Sequence, residues 1–218
     1  MKRIIAFSGS PRSNGNSTIM LRHFLDAARE HTSLIEEYSA HDLHLEYCRG
    51  CLRCNLMGRC TVSTDNWQEL SNKIANADTV VFASPVYFHH VTAPLKKLID
   101  RFRSFLQVQI TKTGLIHAPH RKWDADIVLL LTMGSPDTSE AAPVVDLFRF
   151  MRKIIEPDNQ LHVIHGTRLA MGGQIEKSAE ELAALYPKLK LPAELAAEDY
   201  QKNRKVLEKC MELGKIRG

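Results

Sequence analysis

The chain has 218 residues, 44% of them hydrophobic and 25% charged, so it is long enough for one α/β domain with a single sizeable core. The net charge of +4 is small and spread along the sequence, which excludes the dense basic surface of a nucleic-acid-binding protein. No apolar run approaches the ~20 residues that a membrane-spanning helix needs. The apolar run 4–7 near the N-terminus is too short for a signal peptide. We therefore expect a cytoplasmic protein with no nucleic-acid or membrane partner.

Short apolar runs alternate with amphipathic segments through most of the chain. The runs predict five β-strands, at 4–8, 34–38, 79–83, 127–132 and 161–164. Apolar residues at helical spacing predict intervening helices at 17–31, 66–76, 93–106 and 141–155. Such alternation indicates an α/β fold, a doubly wound five-stranded parallel sheet with right-handed crossovers.

Two segments fall outside this alternation. The polar stretch 112–124, rich in His and Pro, predicts a loop insertion before the fourth strand. Beyond Gly173 only helical patterns remain, at 176–186 and 193–213. We therefore predict a single domain over 1–218, with a cysteine-rich loop at 47–61 and a helical C-terminal extension at 174–218.

A loop of glycine and hydroxyl residues follows the first strand and leads into the first helix, from Ser8 to Thr18. A helix N-terminus exposes unpaired N–H groups and a partial positive charge, which suit an anion. Arg12 adds charge-assisted hydrogen bonds for phosphate oxygens. The patterns of nucleotide triphosphatase and dinucleotide-binding loops are both absent. The segment predicts a phosphate-binding loop, with an ordinary capped strand-to-helix turn as the alternative.

The residues Gly9-Ser10-Pro11-Arg12, followed by Gly15-Asn16-Ser17, resemble the opening of the NADPH-dependent FMN reductase and iron–sulfur flavoprotein family. The resemblance covers roughly the first 135 residues and implies a flavodoxin-like fold. In that family this loop holds the FMN phosphate. The resemblance therefore implies phosphate contacts from Ser8, Ser10, Arg12, Asn16, Ser17 and Thr18.

The loops after the third and fourth predicted strands lie where a ligand held by the first loop would extend, because ligands of open α/β sheets bind at the carboxyl ends of strands. Ser84-Pro85-Val86-Tyr87-Phe88 resembles the family stretch beside the isoalloxazine ring, and aromatic faces suit a flat ring. His89 stands where the family commonly has glycine, so flavin contact and solvent exposure both stay open. The loop at Gly134 is expected to form a third wall of the pocket, with a plain strand-to-helix turn as the alternative. The expected ring contacts are Pro85, Val86, Tyr87, Phe88, His89, Thr132 and Gly134.

Four of the five cysteines form a C-x2-C-x2-C-x5-C motif, namely Cys48, Cys51, Cys54 and Cys60. Soft thiolates select iron–sulfur clusters, zinc or copper(I). The spacing resembles the compact motif of iron–sulfur flavoproteins, which ligates a 4Fe–4S cluster. Zinc and vacant reduced thiols are the alternatives. Cys210, in the last helical pattern, is expected to be an unreactive thiol.

The resemblance implies an FMN-dependent oxidoreductase that takes electrons from NAD(P)H or a reduced carrier, with flavin-borne chemistry and no catalytic side chain. A 4Fe–4S cluster would pass the electrons on to a small-molecule or protein acceptor. The alternatives are an FMN-only NAD(P)H:quinone or flavin reductase, an electron carrier without its own small-molecule substrate, and a non-redox binding protein with a zinc knuckle. The resemblance further implies a homodimer or homotetramer.

Overall fold

The computed structural model describes residues 2–32 and 34–218. The strands are β1 (Arg3–Ser8), β2 (Leu34–Ser39), β3 (Thr79–Pro85), β4 (Leu106–Ile110), β5 (Leu115–Pro119), β6 (Asp126–Thr132) and β7 (Leu161–Gly166). The α-helices are α1 (Asn16–Arg29), α2 (Cys54–Met57), α3 (Trp67–Ala75), α4 (Ala93–Arg101), α5 (Ala142–Ile155), α6 (Ala179–Leu185) and α7 (Leu195–Arg217).

Five of the strands form one sheet in the order β2-β1-β3-β6-β7, and all neighbours in it are parallel. Counted within the sheet, this is the flavodoxin-like order 2-1-3-4-5. The predicted doubly wound five-stranded sheet is therefore confirmed. Successive strands are added on one side of β1 and then on its other side, from β3 onwards, and this change of order opens a crevice at the carboxyl ends of β1 and β3.

The sheet separates two hydrophobic cores because its central strands are buried on both faces. On one face, α3, α4 and α5 pack around a core that contains Trp67, Phe82 and Phe148. On the other face, α1 and α7 cover a core that contains Phe24 and Leu130. Helices on both sides fix the carboxyl ends of the strands as one rigid edge, from which the loops of the site extend.

The segment 112–124 was predicted as a loop, and this prediction is wrong. Strand β5 within it pairs antiparallel with β4, from Leu106 opposite Pro119 to Ile110 opposite Leu115. The helix predicted for 93–106 correspondingly ends at Arg101, and a 3-10 turn over Phe102–Phe105 leads into β4. The two strands of this hairpin have only five residues each, which is too short for their pattern to stand out in the sequence.

The C-terminal extension contains α6 and the 23-residue helix α7. A Cβ on Gly214 would lie 2.2 Å from the carbonyl oxygen of Phe24, so this glycine allows α7 to approach α1 closely. In the described ranges, no helix has the length and apolar character to cross a membrane.

Candidate functional site

The loop after β1 shapes an anion site at the N-terminus of α1. Gly15 is the residue before the helix, and a Cβ there would lie 2.2 Å from Ser10 Oγ, so any larger residue would displace this hydroxyl. Ser17 is 1% exposed, and its Oγ has no hydrogen-bond partner among the described residues. A buried hydroxyl without a partner is costly, and a ligand oxygen would satisfy it.

Five of the six predicted phosphate contacts already have hydrogen-bond partners within the protein. Ser10 Oγ donates to Arg12 O (3.0 Å) and accepts from Arg12 N (3.1 Å), and Arg12 Nη1 donates to Ala170 O at 3.3 Å. The Asn16 amide donates to Met171 O (2.8 Å) and accepts from Ile175 N (3.0 Å). Thr18 Oγ1 lies 3.3 Å from Ser8 Oγ and donates to Arg12 O at 3.3 Å. These side chains brace the loop and leave the first-turn N–H groups of α1 free for an anion.

The loop after β3 forms a second wall of the same cavity. Pro85, Val86 and Tyr87 line it together with Ser10, Arg12, Asn16 and Ser17 of the first loop. Val86 N donates to Thr132 O at 2.8 Å, which ties this loop to the next strand. The first and second predicted loops therefore meet, as their positions at adjacent carboxyl ends require.

Phe88 and His89 lie outside this cavity. They occupy the tip of a tight turn closed by hydrogen bonds between Tyr87 and His90, and both have left-handed backbones, with φ of 48° and 61°. Phe88 is fully exposed, and His89 Nδ1 lies 3.2 Å from Glu140 O. A two-residue turn of this kind needs positive φ at both central positions, which non-glycine residues adopt only with strain.

The loop after β6 supplies the third wall. Thr132 and Gly134 line the cavity with Met133 between them. Met133 N donates to Gly166 O (2.9 Å), which continues the β6–β7 pairing one residue past the end of β6. A Cβ on Gly134 would meet nothing within 4 Å, so this position faces open space.

A fourth wall, which the sequence analysis missed, follows β7. Leu169 and Ala170 line the cavity, and the buried Gln174 holds their segment. Its Oε1 accepts from Ala170 N (3.0 Å) and Met171 N (3.1 Å), and its Nε2 donates to Arg168 O (2.7 Å). The pair Gly172-Gly173 was a signal of a turn there, but nothing in the sequence linked it to a site.

The fourth wall is anchored to α7 by a buried carboxylate. Asp199, 1% exposed, accepts from Arg168 Nε with both oxygens, at 2.8 and 2.9 Å. It also accepts from Tyr186 OH and Lys202 Nζ, each at 2.6 Å. Burial opposes the charged form of Asp199, but the donors, Arg168 first, outweigh it and hold its pKa below the ordinary value. We call this group, Asp199 with Arg168, Lys202 and Tyr186, the α7 clamp.

The four motif cysteines line a separate cavity of about 220 Å³. Cys48 and Cys51 are exposed, Cys60 is half-buried and Cys54 is buried. Burial raises the pKa of the Cys54 thiol, and the nearby Arg103 guanidinium only partly opposes this. Among the described residues, no three His, Cys, Asp or Glu side chains are close enough together to hold a metal ion. The four cysteines of the motif thus border one cavity, but no three of their thiols lie close enough together to share a metal ion in the described ranges.

Two guanidinium groups from α4 and the turn after it contact these thiols. Arg101 Nη2 donates to Cys60 Sγ at 3.3 Å, and Arg103 Nη1 donates to Cys54 Sγ at 3.6 Å. Arg101 is 1% exposed and pairs with the enclosed carboxylate of Asp65. Donors of this kind stabilise negative charge on sulfur, which is what a thiolate-ligated centre carries.

The sequence matches the model of a protein family, described as NADPH-dependent FMN reductase, over residues 2–167. The chain belongs to the NADPH-dependent FMN reductase family. The match ends just before the fourth wall, so that wall and the α7 clamp lie beyond it.

Curated relatives carry the name iron-sulfur flavoprotein. One from Methanocaldococcus jannaschii is 41% identical over 101 residues, which are 46% of this chain and 52% of that protein. One from Archaeoglobus fulgidus is 30% identical over 135 residues, which are 62% of this chain and 57% of the relative. The chain thus spans about half the length of the curated relatives it matches.

Among solved structures, an azoreductase from Bacillus anthracis is similar with a TM-score of 0.64. The likeness covers 99% of this chain and 100% of that one at 18% identity, and it supports the flavodoxin-like fold.

Proposed function

We propose that this protein is an FMN-dependent oxidoreductase that takes electrons from NAD(P)H. The observation that carries the proposal is the enclosed, unpartnered Ser17 hydroxyl at the N-terminus of α1, inside a cavity walled by four strand-end loops. FMN, when bound, supplies hydride acceptance and release of one or two electrons. The side chains of the protein bind and orient the cofactor and the substrate, and none of them acts as a nucleophile.

Each wall has a role in this proposal. Ser10, Arg12, Ser17 and the first-turn N–H groups of α1 bind the phosphate, because they combine donors with positive charge. The side chains of Asn16, Thr18 and Ser8 hold the loop in shape. The ring is flanked by residues of the second and third walls, namely Pro85, Val86, Tyr87, Thr132 and Gly134. Phe88 and His89, at the exposed tip of the turn after β3, are left without a role in holding the ring.

We further propose that Cys48, Cys51, Cys54 and Cys60 hold a 4Fe–4S cluster. The donor set fits, since four thiols border one cavity and soft thiolates select iron–sulfur clusters. The cluster would supply one-electron transfer to an acceptor. Arg101 and Arg103 hold two of the thiols and offset their charge. Closing the ligand set requires the exposed Cys48 and Cys51 to move toward the other two.

A second candidate is an FMN-only NAD(P)H:quinone or flavin reductase whose cysteines hold zinc or stay reduced. The separation of the thiols favours it, because no three of them approach each other closely enough for a metal in the described part of the chain. An electron carrier without a small-molecule substrate differs from both, since NAD(P)H would not reduce its flavin.

One experiment separates these functions. The full chain is purified without oxygen, its visible spectrum is recorded, and flavin, iron, sulfide and zinc are assayed on the same sample before NADPH is added. Flavin that NADPH bleaches, with about four irons and four sulfides per chain, supports the cluster-bearing oxidoreductase. Flavin bleached without iron supports the FMN-only reductase, and flavin that only a reduced carrier bleaches supports the electron carrier. A preparation that binds no FMN, even on reconstitution, contradicts the proposal.

A further inference from the structure

A second polar cavity, of about 190 Å³, lies outside both sites described above. It is bordered by loop 58–60, helix α3 and the end of the β4–β5 hairpin. Its polar lining comes from Arg59, Gln68, Ser71, Asn72, His120 and Arg121. None of the residues lining this cavity is acidic. The two guanidinium groups therefore give it a positive charge that nothing in its wall neutralises.

His120 adds an unsatisfied donor or acceptor. Its Nε2 is fully enclosed and has no hydrogen-bond partner within the described ranges. Enclosed ring nitrogens are normally paired, so this nitrogen is available to a ligand atom or a water molecule. In its Nε2–H tautomer the ring donates, as do the guanidinium groups and the Asn72 and Gln68 amides.

The two serine hydroxyls of the lining are engaged, since Ser71 Oγ donates to Gln68 O (3.0 Å) and Ser104 Oγ to Arg101 O (2.9 Å), but the Arg59 guanidinium is only weakly held. Arg59 Nη1 makes a long bond of 3.4 Å to Gln68 Oε1, which a better acceptor would displace. Arg59, Asn72 and Arg121 are exposed, so the cavity opens to solvent and a ligand can enter. Arginine is the side chain best suited to bind the oxygens of phosphate or sulfate in pairs.

We propose that this cavity is a binding site for a tetrahedral oxyanion, either the free ion or a phosphate monoester, held by Arg59, Arg121 and His120. Cys60 and Ser104 border both this cavity and the cysteine cavity. The anion would therefore lie next to Cys60, on a surface separate from the FMN phosphate loop.

The test titrates inorganic phosphate into the full chain saturated with FMN, so that the loop at α1 is filled, at constant ionic strength. The imidazole ¹⁵N signals are followed by NMR, with those of His120 assigned from His120→Gln. We expect a saturable change at His120 Nε2. Arg121→Gln should weaken binding by roughly tenfold or more, because a charge-assisted hydrogen bond is lost. The matched control Arg53→Gln removes an exposed charge from the same region without touching the cavity, and should change affinity less than twofold.

A phosphate monoester such as glycerol phosphate is titrated in parallel. Tighter binding of the monoester identifies a phosphorylated small molecule as the ligand, and tighter binding of phosphate identifies the free ion. The proposal is overturned if no saturable binding occurs at millimolar phosphate, if chloride competes equally well, or if Arg53→Gln weakens binding as much as Arg121→Gln. It is also overturned if Arg12→Gln abolishes the response while Arg121→Gln leaves it intact, because the phosphate would then occupy the loop at α1.

Discussion

The α7 clamp gives the sharpest test of how the region beyond the family match supports the site. Asp199→Asn keeps the shape of the side chain and removes its charge. In the native protein the carboxylate accepts two bonds from Arg168 and one each from Tyr186 and Lys202. An amide can accept only some of these bonds, and its NH₂ group faces donors.

The expected loss of stability follows from the burial of this group. Breaking a fully buried charge pair costs about 3–5 kcal/mol, but Arg168 and Lys202 are 18% and 26% exposed, so part of their charge returns to water. We expect Asp199→Asn to lower the free energy of unfolding by about 3 kcal/mol. For a chain of this size the corresponding decrease in Tm is roughly 6–12 °C.

The effect depends on pH with a definite sign. The pKa of Asp199 is lower in the folded protein than its ordinary value of 3.8, so its stabilisation is present above that value and is lost as the pH falls through the folded pKa. The difference in unfolding free energy between wild type and Asp199→Asn should therefore be full at pH 7. It should shrink below about pH 3.8.

The clamp also positions the wall formed by Leu169 and Ala170. We expect the FMN dissociation constant to rise about tenfold in Asp199→Asn, measured by flavin fluorescence well below Tm, because a misplaced wall loses roughly 1.4 kcal/mol of contact. Arg168→Lys, which keeps the charge but not the paired bonds, should have a smaller effect in the same direction.

The matched control is Asp26→Asn, which breaks an exposed pair with Arg29 and should change stability by less than about 0.5 kcal/mol. If Asp199→Asn is as stable as this control, the buried carboxylate contributes nothing to the free energy of unfolding and the prediction is wrong. An Asp199→Asn protein that unfolds easily but binds FMN with the wild-type constant would show that the clamp stabilises α7 without positioning the site.

Three further predictions concern other positions. Gly15→Ala should raise the FMN dissociation constant roughly tenfold, because the new Cβ would collide with the Ser10 hydroxyl. The control Gly114→Ala places its Cβ in open space and should leave the constant unchanged. In protein freed of any bound metal, a thiol reagent at pH 8 should label the exposed Cys48 rapidly and leave Cys210 unmodified, since burial raises the pKa of Cys210 to about 12. Labelling of both thiols at equal rates would contradict the packing of α7. His89→Gly should raise the free energy of unfolding by about 0.5–1 kcal/mol in denaturant titrations, because glycine adopts the left-handed backbone conformation without strain. A loss of stability would mean that the contact of His89 with Glu140 contributes more than the strain costs.

The sheet and the first three walls were accessible from the sequence because their signals are local. Each central strand is a short apolar run, and the loop from Ser8 to Thr18 carries its chemistry in consecutive residues. Placement at the carboxyl ends of parallel strands then brings the loops together. Strand β5 was not predicted because its signal is not local. Its five residues do not alternate between apolar and polar, so only its pairing with β4 identifies it as a strand.

The side-chain roles within the first loop could not be predicted in the same way. Asn16 belongs to the loop by sequence, yet its amide bonds to Met171 and Ile175, more than 150 residues away. Sequence spacing identifies which residue types surround a phosphate, but it does not show which of them already have partners. Ser17, with its enclosed and unpartnered hydroxyl, is distinguished from Asn16 only by the folded structure.

The fourth wall also could not be predicted from the sequence, and here a whole segment was missed. Leu169 and Ala170 carry no chemistry of their own and show no periodicity, so nothing marks them as part of a site. Their placement depends on Gln174 and, through Arg168, on Asp199, which lies 31 residues further along the chain. A helix that the sequence presents as a C-terminal extension thus holds one side of the cavity proposed for FMN. Asp199→Asn should therefore weaken FMN binding although it leaves every residue of the family match unchanged.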